Sequence, residues 1–239
     1  MSIRKVHSNG RTIVGFFCSH KGDEVLQFES LNEQRFLFVL HFDSKVKKIE
    51  DQPVRMEYSL RSKPKSYVPD FLVEYFDGRR VFFEIKTEEG KKAQGKKFAA
   101  AYRAAKAFAY KNKFRFHLLT DVVLDSIYIK NVKYLLMFKT DTIDLAVQHR
   151  ILTELRKRNV ATGNEVLKAI AQDKDEYYAL IRPFWVLLYK KIITCDLVNL
   201  KLTMNSPVWE CSVKHPPVEL SYPYTKSPKI VAPKTFKTK

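Results

Sequence analysis

Asp70, Glu84 and Lys86 are the residues whose types and spacing point to chemistry. They lie in the stretch 68–86, where two apolar runs rich in Val, Phe, Ile and Tyr flank Asp77-Gly78 and read as two strands joined by a tight turn. All three charges fall at the end of this hairpin far from the turn. Carboxylates at the ends of neighbouring strands repel one another unless something cationic lies between them, and a hard divalent ion such as Mg²⁺ suits oxygen ligands. A lysine beside such an ion can orient a water or steady a negative oxygen, which makes a phosphodiester-cutting constellation. The plainer reading is a turn residue after Pro69 and a solvated strand face carrying Glu84 and Lys86.

Register decides whether the acids meet. Glu84 and Lys86 are two apart and share a face of their strand. A two-residue turn at Asp77-Gly78 pairs Asp70 with Ile85 and aims Asp70 away from Glu84. A three-residue loop (Phe76, Asp77 and a left-handed Gly78) pairs Tyr75 with Arg79 and sets Asp70 opposite Glu84. It also pairs Phe71 with Phe83 and Val73 with Val81 on the opposite face, as core. The catalytic reading requires this bulged loop or an equivalent bulge.

Around the hairpin, 12–18 and 24–28 read as strands. Ser30-Leu31-Asn32-Glu33 ahead of the apolar run 36–40 is a helix start with a capping box. Glu33 has two readings, a plain helix cap and a third carboxylate lent to the metal site. Residues 46–50 and 54–60 are strand material split by Gln52-Pro53, and the basic stretch 61–65 is a loop leading into the hairpin. A helix over 92–111 carries Phe98, Ala101, Tyr102, Ala105 and Ala109 on one stripe and Lys96, Lys97, Arg103 and Lys106 on its other face. Those four bases are either an ordinary solvated face or a grip on a DNA backbone. Residues 114–120 form a further strand, and the element order implies a mixed sheet with helices packed against it.

The chain has 239 residues and a formal charge of +17, enough length for a large core and a balance that favours a partner carrying many phosphates. The charge is clustered: residues 91–113 hold eight Lys/Arg and no acid, and 213–239 hold six Lys against one Glu. Cys18, Cys195 and Cys211 have neither metal-ligand nor redox spacing, and their odd count points to a reducing compartment. With no membrane-length apolar run and no signal-peptide pattern after Met1, the expectation is a soluble cytoplasmic protein. The absence of a Gly-x-x-x-x-Gly-Lys loop argues against a nucleotide hydrolase.

From about residue 143 the pattern turns helical, with helices expected near 143–155, 164–171 and 176–189, the last containing Pro183. Residues 191–197 and 200–204 read as a hairpin, and three helices followed by a hairpin is the pattern of a winged helix, a module for DNA or protein partners. The tail, 213–239, holds half of the ten prolines and reads as extended and disordered until bound. The division expected is a nuclease domain over 1–122, a winged-helix-like domain over 123–212 and a basic tail over 213–239.

Residues 10–120 resemble the TnsA endonucleases of heteromeric transposases. The likeness runs through Gly15-Phe16-Phe17-Cys18-Ser19-His20-Lys21, Phe28-Glu29-Ser30-Leu31-Asn32-Glu33, Asp43 to Val46, Gln52-Pro53, Tyr67-Val68-Pro69-Asp70-Phe71-Leu72-Val73 and Glu84-Ile85-Lys86. The later residues resemble that family's winged-helix-like second domain more loosely. The resemblance implies a restriction-endonuclease-like α/β fold of the PD-(D/E)xK class. It implies Glu33, Asp70 and Lys86 as the catalytic set, with Glu84 at the other acidic position, and one or two Mg²⁺ ions (Mn²⁺ substituting) on Glu33, Asp70, Glu84 and the Ile85 carbonyl. It implies cutting of the 5′ strands at transposon ends in bacterial, nucleoid-associated double-stranded DNA. A TnsB-type transposase would process the 3′ strands, and a TnsC-type ATPase would regulate the complex. A restriction or junction-resolving nuclease and a catalytically inert adaptor are the alternatives.

Overall fold

The structure, a computed structural model, describes residues 13–22, 25–124, 126–226 and 228–234. The chain forms two compact units. The first comprises Met1–Asp125 with Ser221–Lys226, and the second Ser126–Leu220 with Ser227–Lys239.

The first unit contains β1 (Gly15–Cys18), β2 (Val25–Phe28), α1 (Leu31–Phe42), β3 (Val46–Asp51), β4 (Met56–Leu60), β5 (Lys63–Tyr67), β6 (Phe71–Tyr75), β7 (Arg80–Lys86), α2 (Glu88–Lys111), β8 (Arg115–Thr120) and the short α3 (Asp121–Leu124). Its main sheet has the order β3-β6-β7-β8. The β3/β6 and β6/β7 pairs are antiparallel and β7/β8 is parallel, so the sheet is mixed. Strand β7 is central and covered on both faces, which is why Val81 to Ile85 are buried without alternation. On one face Phe36 of α1 meets Phe83 and Phe71 at ring separations of 4.9 and 6.1 Å. On the other, Phe82 packs with Met56, Phe116 and the small Ala105 and Ala109 of α2.

The hairpin adopts the bulged register. Phe71 pairs with Phe83 and Val73 with Val81. The Tyr75 N–H donates to the Arg79 carbonyl at 2.9 Å, and Gly78 closes the loop at φ 82°, a left-handed position where a side chain costs energy. Extending the pairing by one residue sets Asp70 opposite Glu84, on the α2 face of the sheet.

The second unit contains α4 (Ile127–Leu135), α5 (Leu145–Arg158), β9 (Ala161–Thr162), α6 (Gly163–Ile170), α7 (Lys174–Tyr189), β10 (Ile193–Cys195) and β11 (Pro207–Glu210). Its three strands lie in the order β10-β11-β9, all antiparallel. Thr162 and Glu165 form a complete capping box for α6. A Cβ on Gly163 would meet the Phe184 ring at 2.8 Å, so α6 approaches α7 through a missing side chain. Burial pushes the thiols of Cys195 and Cys211 up to about 12, far from reactive thiolates.

Four expectations need correction. The basic stretch 61–65 is not a loop: Arg61 and Ser62, both at positive φ, form a two-residue turn, and Lys63–Tyr67 pairs with β4. The 92–111 helix starts earlier, at Glu88 with Thr87 as its cap, and is broken at Gly95 (φ 43°, ψ −127°). Residues 200–204 are not a strand; the second strand of that hairpin is Pro207–Glu210. Instead, buried Asn131 holds this stretch, donating to the carbonyls of Leu197 and Leu200 and accepting from the Leu202 N–H. Nor is the stretch after 213 free of packing. Val218 and Leu220 are buried within the second unit, and Tyr224 is buried in the first. The Tyr224 hydroxyl donates to Asp43 at 2.5 Å and accepts from Tyr75 at 3.1 Å, and its ring lies 5.4 Å from Phe36. Composition misled here: one large aromatic is enough to anchor a proline-rich strap.

Candidate active site

Glu84 and Lys86 come from the end of β7, on the face that carries Phe82. Their side chains form an ion pair, Lys86 Nζ to Glu84 Oε1 at 2.6 Å. The Glu84 carboxylate is almost sealed, at 4% exposure, whereas Lys86 keeps 27%, so the amine is the partner that can still reach an incoming group. The other Glu84 oxygen accepts from the Tyr67 hydroxyl. A sealed carboxylate needs its hydrogen bonds made, and here an amine and a phenol make them.

Asp70 stands just ahead of β6. Its Oδ2 accepts from the Ile85 N–H at 2.7 Å, and its carbonyl accepts from the Gln52 N–H at 2.9 Å. Gln52 sits at φ 43°, a strained position for a side-chain-bearing residue. Burial pushes the Asp70 carboxyl well above the ordinary carboxylate range. The charges of Glu84 and Glu33 push the same way, and Lys86 and the Ile85 N–H oppose them only in part.

Glu33 arrives from the first turn of α1. Its oxygens accept from the Glu29 N–H at 2.6 Å and the Ser30 hydroxyl at 2.8 Å, while Ser30 Oγ accepts from the Glu33 N–H at 3.1 Å. The residue therefore caps its helix, as the plainer sequence reading has it. It also feels the site: burial raises its pKa and the Lys86 charge lowers it. Burial pulls the Lys86 amine down, but Asp70, Glu84 and Glu33 outweigh that, and its net shift is upward. Lys86 is therefore held protonated.

The four predicted residues thus share one electrostatic neighbourhood, with three carboxylates against one amine. The carboxylate oxygens are engaged in separate hydrogen bonds, and among the described residues no group of three His, Cys, Asp or Glu side chains is gathered tightly enough to hold a metal ion. Of the proposed DNA-backbone residues, Arg103 and Lys106 are exposed on α2, with Lys106 Nζ lying 4.8 Å from the Tyr102 ring centre. The side chains of Lys96 and Lys97 lie outside the described residues.

Sequence reasoning did not single out Tyr67 or Gln52 as parts of the site. Tyr67, three residues before Asp70, ends the strand that the basic stretch conceals. Its hydroxyl is pushed far up, first by burial and then by Glu84. Gln52 acts through its backbone, which no side-chain pattern announces.

Comparison with protein families matches residues 43–121 to the TnsA-like endonuclease N-terminal domain. The matched stretch contains Asp70, Glu84 and Lys86 and begins after Glu33. No curated protein matches the chain. With the bulged hairpin, the Pro-Asp and Glu-x-Lys residues at its open end and the mixed sheet beneath them, this match supports a TnsA-like endonuclease domain over residues 43–121, about a third of the chain.

Proposed function

We propose that the protein is the Mg²⁺-dependent endodeoxyribonuclease subunit of a cut-and-paste transposase of the Tn7 type, with a restriction-endonuclease-like first unit. It cuts the 5′ strands at the transposon ends alongside a TnsB-type partner. The observation that carries this reading is the crowding of carboxylates at the end of β6 and β7: burial first, then Glu84 and Glu33, push the Asp70 carboxyl upward, with the single amine of Lys86 to offset them. An all-oxygen donor set with more carboxylates than amines fits a hard divalent cation. Asp70, Glu84, the Ile85 carbonyl and Glu33 would hold it, with Glu33 giving up its cap to do so. When bound, the ion supplies Lewis-acid polarisation of the phosphate and lowers the pKa of the attacking water.

The chain's own residues do the rest. Lys86, kept protonated and partly open, steadies negative charge on the phosphoryl oxygens or holds the attacking water. Glu84 and Tyr67 hold that amine in place. The Ile85 N–H fixes the Asp70 carboxylate. Arg103 and Lys106, with Lys96 and Lys97, hold the DNA backbone on the face of α2 turned away from the sheet. In the second unit, the order α5-β9-α6-α7-β10-β11 supports a winged-helix module, which would dock a TnsC-type ATPase or DNA. A cytoplasmic, nucleoid-associated location follows from that role.

The test is strand cleavage of transposon-end DNA with and without Mg²⁺ (or Mn²⁺), and with and without the partner subunit. Cutting that requires both supports the reading. Full activity of the isolated chain on bare DNA would favour a restriction or resolving enzyme, and no metal binding under any condition would favour an inert adaptor.

A further inference from the structure

The β4–β5 ribbon has two unlike faces. Its register pairs Met56 with Tyr67, Tyr58 with Lys65 and Leu60 with Lys63, and these six side chains share one face. Glu57, Ser66, Ser59 and Pro64 share the other. At its root the first face enters the α2-side core through Met56, and Tyr67 packs against that core and reaches Glu84. Further out, Lys65 and Lys63 are exposed on the same face and make no ion pair among the described residues. Two and four residues beyond Tyr67, they stand roughly 7 and 13 Å along the ribbon from the residue that touches the site. The ribbon's one acid, Glu57, points the other way. The tip is closed by the tight Arg61-Ser62 turn, whose positive φ values hold the ribbon in its twist.

We propose that this ribbon is a DNA grip, its Lys63/Lys65 face lying against the phosphates of the duplex that flanks the scissile bond. The proposal rests on the nuclease reading for the position of that bond, but the binding it asserts does not require cutting. The occupant is set by charge and continuity: a lysine face without an acid, running outward from a candidate phosphodiester site, matches an extended polyanion. Two strands closed by a two-residue turn make a narrow element of the kind that grooves admit. Such contacts position the duplex without reading its sequence.

The experiment measures binding of the full chain to an arbitrary duplex of about 30 bp, in chelator so that cleavage plays no part, across a salt series. With two phosphate contacts removed, Lys63→Gln/Lys65→Gln should lower the slope of log K against log salt by about 1.8 and weaken binding about sixty-fold at 0.1 M salt. Lys63→Arg/Lys65→Arg should restore both. Adding Ser59→Lys and Ser66→Lys to the glutamine pair returns the net charge on the wrong face and should not. Unchanged slope and affinity in the glutamine pair, or full recovery from the wrong face, overturns the proposal. Cleavage assays on the parent protein judge the nuclease reading separately: loss of binding in the glutamine pair with an inactive parent sinks that reading and leaves the ribbon standing.

Discussion

Two pairings of a carboxylate with a tyrosine hydroxyl stand among the described residues of the first unit, and their surroundings are opposite. Tyr224 donates to Asp43, which also accepts from the Lys45 N–H at 2.9 Å, and Tyr75 completes the chain of hydroxyls. Asp43, Tyr75 and Tyr224 are all at or below 1% exposure. Tyr67 donates to Glu84 in the other pairing, but there an amine completes the set and two further carboxylates stand nearby with no ion pair among the described residues. The first cluster is closed, with each described group serving another. The second gathers three carboxylates at the end of the sheet around one partly exposed lysine. The lesson is that burial and hydrogen bonding alone do not mark a reactive site. Carboxylates crowded around a single amine are what set the second cluster apart, and the proposed chemistry rests on them.

Breaking the closed cluster should cost the most stability. Tyr224→Ala empties a fully buried aromatic position and should destabilise the first unit by about 3–5 kcal/mol, read by chemical denaturation of the full chain. Tyr224→Phe keeps the ring and leaves Asp43 short of a donor, so a loss of about 1–3 kcal/mol is expected. A silent Tyr224→Ala variant would mean that the strap does not seal the core.

At the open site the expected loss is in rate. Asp70→Ala should slow cutting of transposon-end DNA about a hundred- to thousand-fold, roughly 3–4 kcal/mol of barrier by analogy with loss of an oxyanion donor. Denaturation of this variant should show little net change in stability, because relief from burial and like charge offsets the hydrogen bond lost by the Ile85 N–H. Cleavage at the parental rate would remove Asp70 from the catalytic set.

Tyr67→Phe sharpens the comparison. It deprives buried Glu84 of one donor and should cost about 1–3 kcal/mol of stability. If the pairing positions Lys86 as proposed, single-turnover cleavage by this variant should also slow, whereas Tyr224→Phe should leave the rate of its folded fraction intact.

The smallest effect expected is a pH dependence of the strap. His117 accepts or donates at 2.6 Å to the Tyr222 hydroxyl, and burial, followed by Arg115 and Lys106, lowers its pKa below the usual 6.5. A depressed folded pKa means that the neutral ring is favoured in the fold. The stability it contributes is present above about pH 6.5 and is lost as pH falls through the folded value. Thermal melts should show this acid sensitivity in the parent protein and a weaker one in His117→Gln.

The placement of the candidate site on the hairpin was legible because its logic is local. Strand period, the Asp77-Gly78 signal and the need for Asp70 to oppose Glu84 select one register, and the Ser-x-x-Glu spacing of Ser30 and Glu33 announces a cap. The mixed sheet follows from the same reading. What stayed hidden depends on distance along the chain or on backbone strain. Tyr224 meets Asp43 across nearly the whole chain, and a proline-rich composition masks the docking of one aromatic. Lys63–Tyr67 looks like a loop because it is basic and contains Pro64, yet an unpaired edge tolerates both. The strand at Pro207–Glu210 follows a long connection held by Asn131, a buried side chain whose partners lie more than sixty residues away. The placement of Gln52 at positive φ has no side-chain signature at all.

The return of Tyr224 to the first unit sets a schedule for synthesis. About a hundred residues separate it from the end of the first unit's main segment, so at about 5–20 residues per second a ribosome needs roughly 5–20 s to deliver the missing side chain. Until then the nascent domain carries an open pocket beside Phe36 and Phe83. Maturation of the first unit is thereby tied to translation through Tyr224, and a product terminated before that residue would lack the piece that closes it.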